Sequence, residues 1–364
     1  MGSLSLIVKA TRLCNLRCTY CHDWRVGPNQ TMSFSVMARM IASALRDEEH
    51  DAIDFVWHGG EPTLLPISFY EKAILVQSRF RRSGQVVMNT IQTNGTRLTE
   101  PWVRFLQDNQ FSLGVSLDGP PEIHNKYRTY ESGRPSFQDI SATLHTLKQY
   151  DIPFSVLMVI DEDALEVGPS RIFDFFVKMK IKNYGFVAAT PMNTPKASPT
   201  LSSHYVDPER MTNFLIKMYE CWKEHGDSDI RIRELENILQ CVQHGSSHSC
   251  TLEGNCFGHY YVVEPNGEVA HCELFQGDSR YTLGNILESN FEVFRNSREL
   301  STLIQENRKE LDNLQLHCPE FAVCKGWCPH ERYLSVRHNP NHTNKCCGLF
   351  DLIRHIRDNM PKWI

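Results

Sequence analysis

The sequence predicts an α/β protein: a parallel sheet built from six βα repeats, followed by a small cysteine-rich unit. Short runs rich in β-branched and aromatic residues alternate with amphipathic stretches of helical period through the first half of the chain. Polar, glycine-containing segments fall where those strands end. Eight of the thirteen cysteines lie in the last 115 residues.

The first strand, 5–10, sits in the apolar stretch Leu4-Ser-Leu-Ile-Val-Lys-Ala10, and a helix at 33–46 follows. Strand 52–57 then leads to helix 67–82, strand 86–92 to helix 100–109, strand 112–117 to helix 136–150, and strand 154–160 to helix 169–179, before a sixth strand at 184–188. Such alternation implies parallel pairing through right-handed crossovers, in an open doubly wound sheet or an incomplete barrel. The polar, proline-containing passage 190–208 reads as a boundary or as a loop over the mouth. Helices are expected at 209–225 and 231–244. The chain thus divides into 1–208, a helical linker 209–245 and the cysteine-rich 246–364.

Composition narrows the class. The chain has 364 residues, 41% of them hydrophobic and 22% charged, with a formal charge of −5. That length carries a large α/β domain plus a smaller one. The negative balance disfavours broad binding to nucleic acid or anionic membrane. No apolar run approaches a membrane span, and the first residues lack signal-peptide order, so a cytoplasmic protein is expected. Thirteen cysteines in such a protein point to metal or catalysis rather than to disulfides.

The most informative motif is Thr11-Arg-Leu-Cys14-Asn-Leu-Arg-Cys18-Thr-Tyr-Cys21. Three thiolates hold three irons of a [4Fe-4S] cube and leave the fourth without a protein ligand. A zinc site, or thiols that merely lie close in sequence, are the plainer readings, but structural zinc usually shows two separated cysteine pairs. The next cysteine here is Cys221. With Tyr20 before the last cysteine, the motif resembles that of the radical S-adenosylmethionine (SAM) enzymes. The resemblance implies a partial (β/α)6 barrel in which SAM chelates the open iron and is cleaved to a 5'-deoxyadenosyl radical.

Further motifs fit the same resemblance. In Trp57-His-Gly-Gly-Glu-Pro-Thr63, residues Gly59, Gly60, Glu61 and Pro62 match the loop that binds the SAM amino group, and its glycines are expected to let backbone approach a ligand. Ser116 and Arg128, in Ser-Leu-Asp-Gly-Pro-Pro-Glu-Ile-His-Asn-Lys-Tyr-Arg, match SAM-contacting positions of the anaerobic sulfatase-maturating enzymes, where an arginine fork suits a carboxylate. The C-terminal pattern Cys250-x5-Cys256-x15-Cys272 and Cys318-x5-Cys324-x3-Cys328-x17-Cys346 resembles the SPASM domain, which holds auxiliary Fe-S clusters. That resemblance assigns Cys250, Cys256, Cys272 and Cys328 to a first auxiliary cluster. It leaves the second with Cys318, Cys324 and Cys346, because Gln315 stands where a cysteine is usual. Cys347, His317 or Gln315 could complete it, or one iron could stay open. Cys221 and Cys241 read as buried apolar residues.

The nearest resemblance is to the anaerobic sulfatase maturases, which form formylglycine and carry an aspartate after the cysteine matching Cys272; here that residue is Glu273, the candidate base. The leading expectation is a radical SAM/SPASM maturase that takes hydrogen from a ribosomally made peptide or protein, yielding a crosslink, an oxidised residue or a backbone excision. Partners would be the precursor, a separate leader-binding protein, and a reductant such as flavodoxin or ferredoxin. Formylglycine formation in a sulfatase, and a SAM-independent Fe-S electron carrier or sensor, are the alternatives.

Overall fold

A computed structural model describes residues 2–21, 30–191, 205–246, 249–275, 278–339 and 341–360. Seven strands lie side by side in chain order and pair in parallel: β1 (Gly2–Thr11), β2 (His50–Gly59), β3 (Val86–Thr93), β4 (Ser112–Ser116), β5 (Ser155–Ile160), β6 (Asn183–Ala188) and β7 (Arg231–Ile232). Beyond β1 the sheet continues with β8 (Tyr260–Val263), parallel to β1, and then with the antiparallel β9 (Glu268–His271) and β10 (Thr282–Asn285). β7 and β10 are the two edges of this ten-stranded sheet. The curved sheet is the partial barrel expected from the βα repeats.

The helices of the repeats are α1 (Phe34–Arg46), α2 (Ile67–Phe80), α3 (Glu100–Asp108), α4 (Pro121–Tyr127), α5 (Phe137–Gln149), α6 (Glu162–Val167), α7 (Pro169–Lys178), α8 (Pro208–His225) and α9 (Arg233–His244). After β10 come α10 (Phe291–Arg295), α11 (Arg298–His317), α12 (Phe321–Cys324), α13 (Pro329–His338) and α14 (Phe350–Asp358). Period-two alternation orients the sheet. Leu4, Leu6 and Val8 of β1, with Ile53, Phe55 and Trp57 of β2, are fully buried beneath the helices. Ser5, Ile7 and Lys9, with Asp54, Val56 and His58, therefore line the inner face. Helix α1 answers with Met37, Met40, Ile41, Ala44 and Leu45, spaced three and four apart and all buried. Ser33 caps it by accepting from the Val36 amide at 3.3 Å.

Two expectations change. The stretch 209–245, read as a helical linker, contributes β7 to the sheet, and its second helix starts at Arg233 because Arg231 and Ile232 pair with Asn183 and Tyr184. The passage 190–208 is bracketed by a bond from Val206 N to Ala189 O (3.1 Å) and ends where Asp207 caps α8 and Pro208 takes its first turn. Residues 192–204 of the expected mouth loop lie outside the described residues.

An ion pair ties the C-terminal strands to the barrel. Arg12, just past β1, donates from Nε and Nη2 to the two carboxylate oxygens of Glu264, just past β8, at 2.8 and 2.5 Å. Both side chains are almost wholly buried. Removing one partner of such a pair strands the other charge. Glu264→Ala is expected to lower unfolding stability by about 3 kcal/mol, read as a fall in the urea midpoint at unchanged slope.

Candidate active site

All the N-terminal motifs meet at the carboxyl ends of the strands, where ligands bind in parallel α/β folds. The loop after β1 is pinned to the segment after α4: Arg17 N bonds Thr129 O (2.7 Å) and Thr19 N bonds Tyr127 O (3.2 Å). This holds Cys14, Cys18 and Cys21 within electrostatic reach of one another. Cys14 Sγ accepts from Leu16 N at 3.4 Å and from Asn94 Nδ2 at 3.7 Å. Burial pushes the Cys14 and Cys18 thiols up to about 12, against which Arg128 works at Cys18. Among the described residues no three His, Cys, Asp or Glu side chains converge for a single metal ion; a four-iron cube takes its thiolates from further apart. Three thiols on one short loop, Cys18 buried and Cys14 and Cys21 half-buried, with amide donors aimed at the Cys14 sulfur, fit such a cube.

The Gly-Gly-Glu-Pro loop packs against the segment that leads into the cysteines. Gly60 N and Glu61 N bond Thr11 O and Leu13 O, both at 2.8 Å. A Cβ at Gly59 would lie 2.3 Å from Thr11 O, and one at Gly60 2.1 Å from Leu13 O. The glycines therefore let this loop lie against the backbone that leads into the cysteines. Glu61 is fully buried. Its carboxylate accepts from Thr63 N (2.9 Å), Thr63 Oγ1 (2.5 Å), Thr93 Oγ1 (2.6 Å) and Asn94 N (2.7 Å). Its side chain ties together the segments after β2 and around the end of β3. Pro62 opens a short 3-10 turn, and its carbonyl accepts from Tyr70 Oη at 2.9 Å.

Arg128 is anchored within the protein. Its Nε donates to Asp118 Oδ2 at 2.8 Å and Nη2 to Oδ1 at 3.3 Å, so this edge of the guanidinium is engaged internally. Tyr20 Oη donates to the same carboxylate, and the Arg128 guanidinium stands 5.4 Å from the Tyr20 ring centre. Burial opposes the Asp118 charge, but Arg128 outweighs it and holds the carboxyl below the usual range. Asp118 N in turn donates to His124 Nδ1 at 3.1 Å, and burial lowers that imidazole to about 4. Ser116, at the end of β4, accepts from Gln92 Nε2 at 3.1 Å. Gln92 also lines a cavity of about 440 Å³ beside edge strand β7, with Leu157, Gly185, Arg231 and Arg233.

A second group, which the sequence reading left out apart from Glu273, occupies the inner face. Lys9 and His58 are register partners on β1 and β2. Lys9 Nζ lies 3.1 Å from His58 Nδ1 and donates to Glu273 Oε2 at 2.5 Å. His58 Nδ1 is 3.6 Å from the same oxygen. Lys9 is 1% exposed while Glu273 keeps 26%, so a buried cation holds a carboxylate at the edge of the open interior. The signal was available: one lysine interrupts an otherwise buried parallel strand.

The C-terminal cysteines form two groups. Cys250, Cys256, Cys272 and Cys328 lie within electrostatic reach of one another, and burial raises Cys256 to about 12. Cys272 adopts a left-handed φ of 53° as the chain leaves β9, which places Glu273 beside it at the barrel interior. The other group gathers Cys318, Cys324, Cys346 and Cys347. Cys347 contacts draw the Cys324 and Cys346 thiols down. Cys241 is buried in the helical core and Cys221 packs against it, as expected.

Residues 8–166 match the family model of the Radical SAM superfamily. Over 354 residues the chain is 30% identical to the cysteine-type anaerobic sulfatase-maturating enzyme of Clostridium novyi (strain NT), covering 94% of this chain and 92% of that protein. It is 27% identical over 367 residues to the serine-type enzyme of Bacteroides thetaiotaomicron, covering 96% and 88%. The solved structure of anSMEcpe with bound AdoMet and a peptide matches with a TM-score of 0.85 at 26% identity, covering 98% of both chains. SuiB of Streptococcus suis shares the fold at a TM-score of 0.63 and 14% identity, covering 91% of this chain and 74% of that one. The chain belongs to the radical SAM enzymes, in the family of the anaerobic sulfatase-maturating enzymes. It is a peptide- or protein-modifying radical SAM enzyme, and that class implies SAM on a [4Fe-4S] cluster.

Thiols that burial raises to about 12 must lose their protons when iron binds. Iron uptake in anaerobic reconstitution is expected to rise steadily between about pH 6.5 and about pH 8.5 and to release protons, measured as iron per chain and as acid release in weak buffer.

Proposed function

We propose that this enzyme accepts a segment of a ribosomally made peptide or protein at the barrel mouth, loses a hydrogen from it to SAM-derived chemistry, and removes the remaining proton through Glu273. The observation that carries the reading is the placement of Glu273: next to Cys272, held by Lys9 of the strand that leads into the Cys14, Cys18 and Cys21 loop, and partly exposed. Together the bound SAM and clusters would supply hydrogen-atom abstraction and one-electron transfer. The protein's part is positional. Cys14, Cys18 and Cys21 would hold the SAM-binding cube; Tyr20, Ser116 and Arg128, with the Gly59 to Pro62 loop, would shape the pocket beside it. Cys250, Cys256, Cys272 and Cys328 would hold an auxiliary cluster. Lys9 and His58 fix the Glu273 carboxylate, because geometry decides whether a base reaches its proton.

Formylglycine formation is the specific product suggested by relatives named as cysteine-type and serine-type sulfatase maturases. Glu273 retains the carboxylate there, one methylene longer than aspartate. A crosslink or backbone excision would use the same abstraction on another substrate. A flavodoxin or ferredoxin would serve as reductant, and a leader-binding partner or the C-terminal surface would present the peptide.

The reduced protein with SAM is expected to form 5'-deoxyadenosine, and the Cys14/Cys18/Cys21 triple alanine variant none; equal yields from both would end the radical SAM reading of this site. With sulfatase-derived and neighbouring-gene peptides, mass spectrometry should show which loses two hydrogens. Glu273→Gln is expected to keep deoxyadenosine formation within about threefold and to lower product about a hundredfold. A parallel loss of both would make Glu273 structural.

A further inference from the structure

The second auxiliary set lacks a thiolate at position 315, and the chain offers three replacements: Gln315 itself, His317 and Cys347. Their places in the fold differ. Leu314 on α11 and Cys318, which caps the helix and donates its amide to Leu314 O, are both buried and mark the inward side. Gln315 lies about 100° further round the helix and is exposed. His317 is exposed as well, and its Nδ1 stands 2.8 Å from Asn313 O. Cys347 is 7% exposed and points inward, where its thiol contacts those of Cys324 and Cys346, while Cys318 contacts Cys346.

Backbone geometry makes this convergence feasible. Adjacent side chains of an extended chain point to opposite faces, so two neighbouring cysteines turn toward one centre only where the chain bends. The pair sits between a turn at 344–345 and Gly348, whose φ is 103°. Its amide donates to Cys346 Sγ at 3.3 Å, and Gly326 N donates to Cys324 Sγ at 3.4 Å. The loop carrying that second amide runs through three left-handed residues in succession, Lys325, Gly326 and Trp327. Amide donors to sulfur are what an iron–sulfur cluster uses to stabilise its thiolates.

We propose that Cys347 is the fourth ligand of the second auxiliary cluster, joining Cys318, Cys324 and Cys346 in place of the thiolate that position 315 lacks. The inference rests on the iron–sulfur reading of these cysteines. On assembly the Cys347 thiol gives up its proton as its Sγ–Fe bond forms, with no change of oxidation state. The competing role is a small apolar residue filling the core beside Cys324.

Iron and sulfide content, with Mössbauer and EPR spectra, of the anaerobically reconstituted full chain test the proposal. The parent is expected to hold about twelve irons in three four-iron clusters. Cys347→Ala should lose about a third of the iron or show a three-iron EPR signal, and Cys347→Ser a spectrally distinct iron. Gln315→Ala and Cys221→Ala should match the parent. Adding Gln315→Cys to Cys347→Ala should restore the iron, which a variant that had misfolded would not do; thermal melts accompany each. Parent-like spectra for Cys347→Ala, a parent holding only about eight irons, or iron lost on Gln315→Ala would each overturn the assignment. A parent without iron would overturn the cluster reading altogether. Deoxyadenosine formation by the same preparations reports separately on the proposed reaction, so the two failures are distinguishable.

Discussion

The buried carboxylate of Glu61 is the contact on which the site depends. Taking an ion out of water costs several kcal/mol unless hydrogen bonds replace the lost hydration, and Glu61 has four, from Thr63, Thr93 and Asn94. Those donors sit on the segments that follow β2 and β3, while the Glu61 amide reaches Leu13 O after β1. One side chain thus sets the spacing of three strand ends. Asn94, held through its amide, then turns its side chain to Cys14 Sγ and Asn15 Oδ1. The position of the first cysteine is fixed through a carboxylate buried inside the protein.

A second buried node works on the far side of the same loop. Asp118 accepts from Arg128, Tyr20 and Val159 N, so the cysteine loop, the end of β4 and the start of the crossover to α5 move as one piece. The C-terminal part is joined to this mouth by two charge pairs of similar design. Arg12 meets Glu264 where β1 and β8 end, and Lys9 meets Glu273 on the inner face. Because β8 pairs directly with β1, the auxiliary cysteines are not a tethered appendage. Cys272 and Glu273 follow the hairpin partner of β8 and reach the barrel interior through a rigid ladder.

Much of the barrel was legible in the sequence. All six predicted strands and the helices between them recur within a few residues, because burial on one face imposes a period that propensity alone would not. The short helices α4 and α6, strand β7 and the three C-terminal strands were not anticipated. They are two to seven residues long, too short for a period to register, and the strands are stabilised by pairing with distant partners. The Cys14, Cys18 and Cys21 loop was legible from spacing, since it is a local object, whereas the division of the C-terminal cysteines came from the family resemblance. The internal partners of Arg128, Gly59, Gly60 and Glu61 were not legible, since each depends on what lies opposite.

The sequence by itself determined the α/β alternation, the cysteine loops and the presence of a carboxylate after Cys272, all of which are recorded in residue type and local spacing. Only the tertiary structure decided that Arg128 pairs with Asp118, that Lys9 and His58 converge on Glu273 across 264 and 215 residues of chain, and that Cys347 is buried against the Cys324 and Cys346 thiols while Gln315 is exposed. Those outcomes turn on which face of a strand or helix a side chain takes and on what a distant segment brings to meet it, and neither is carried by a stretch of sequence read alone.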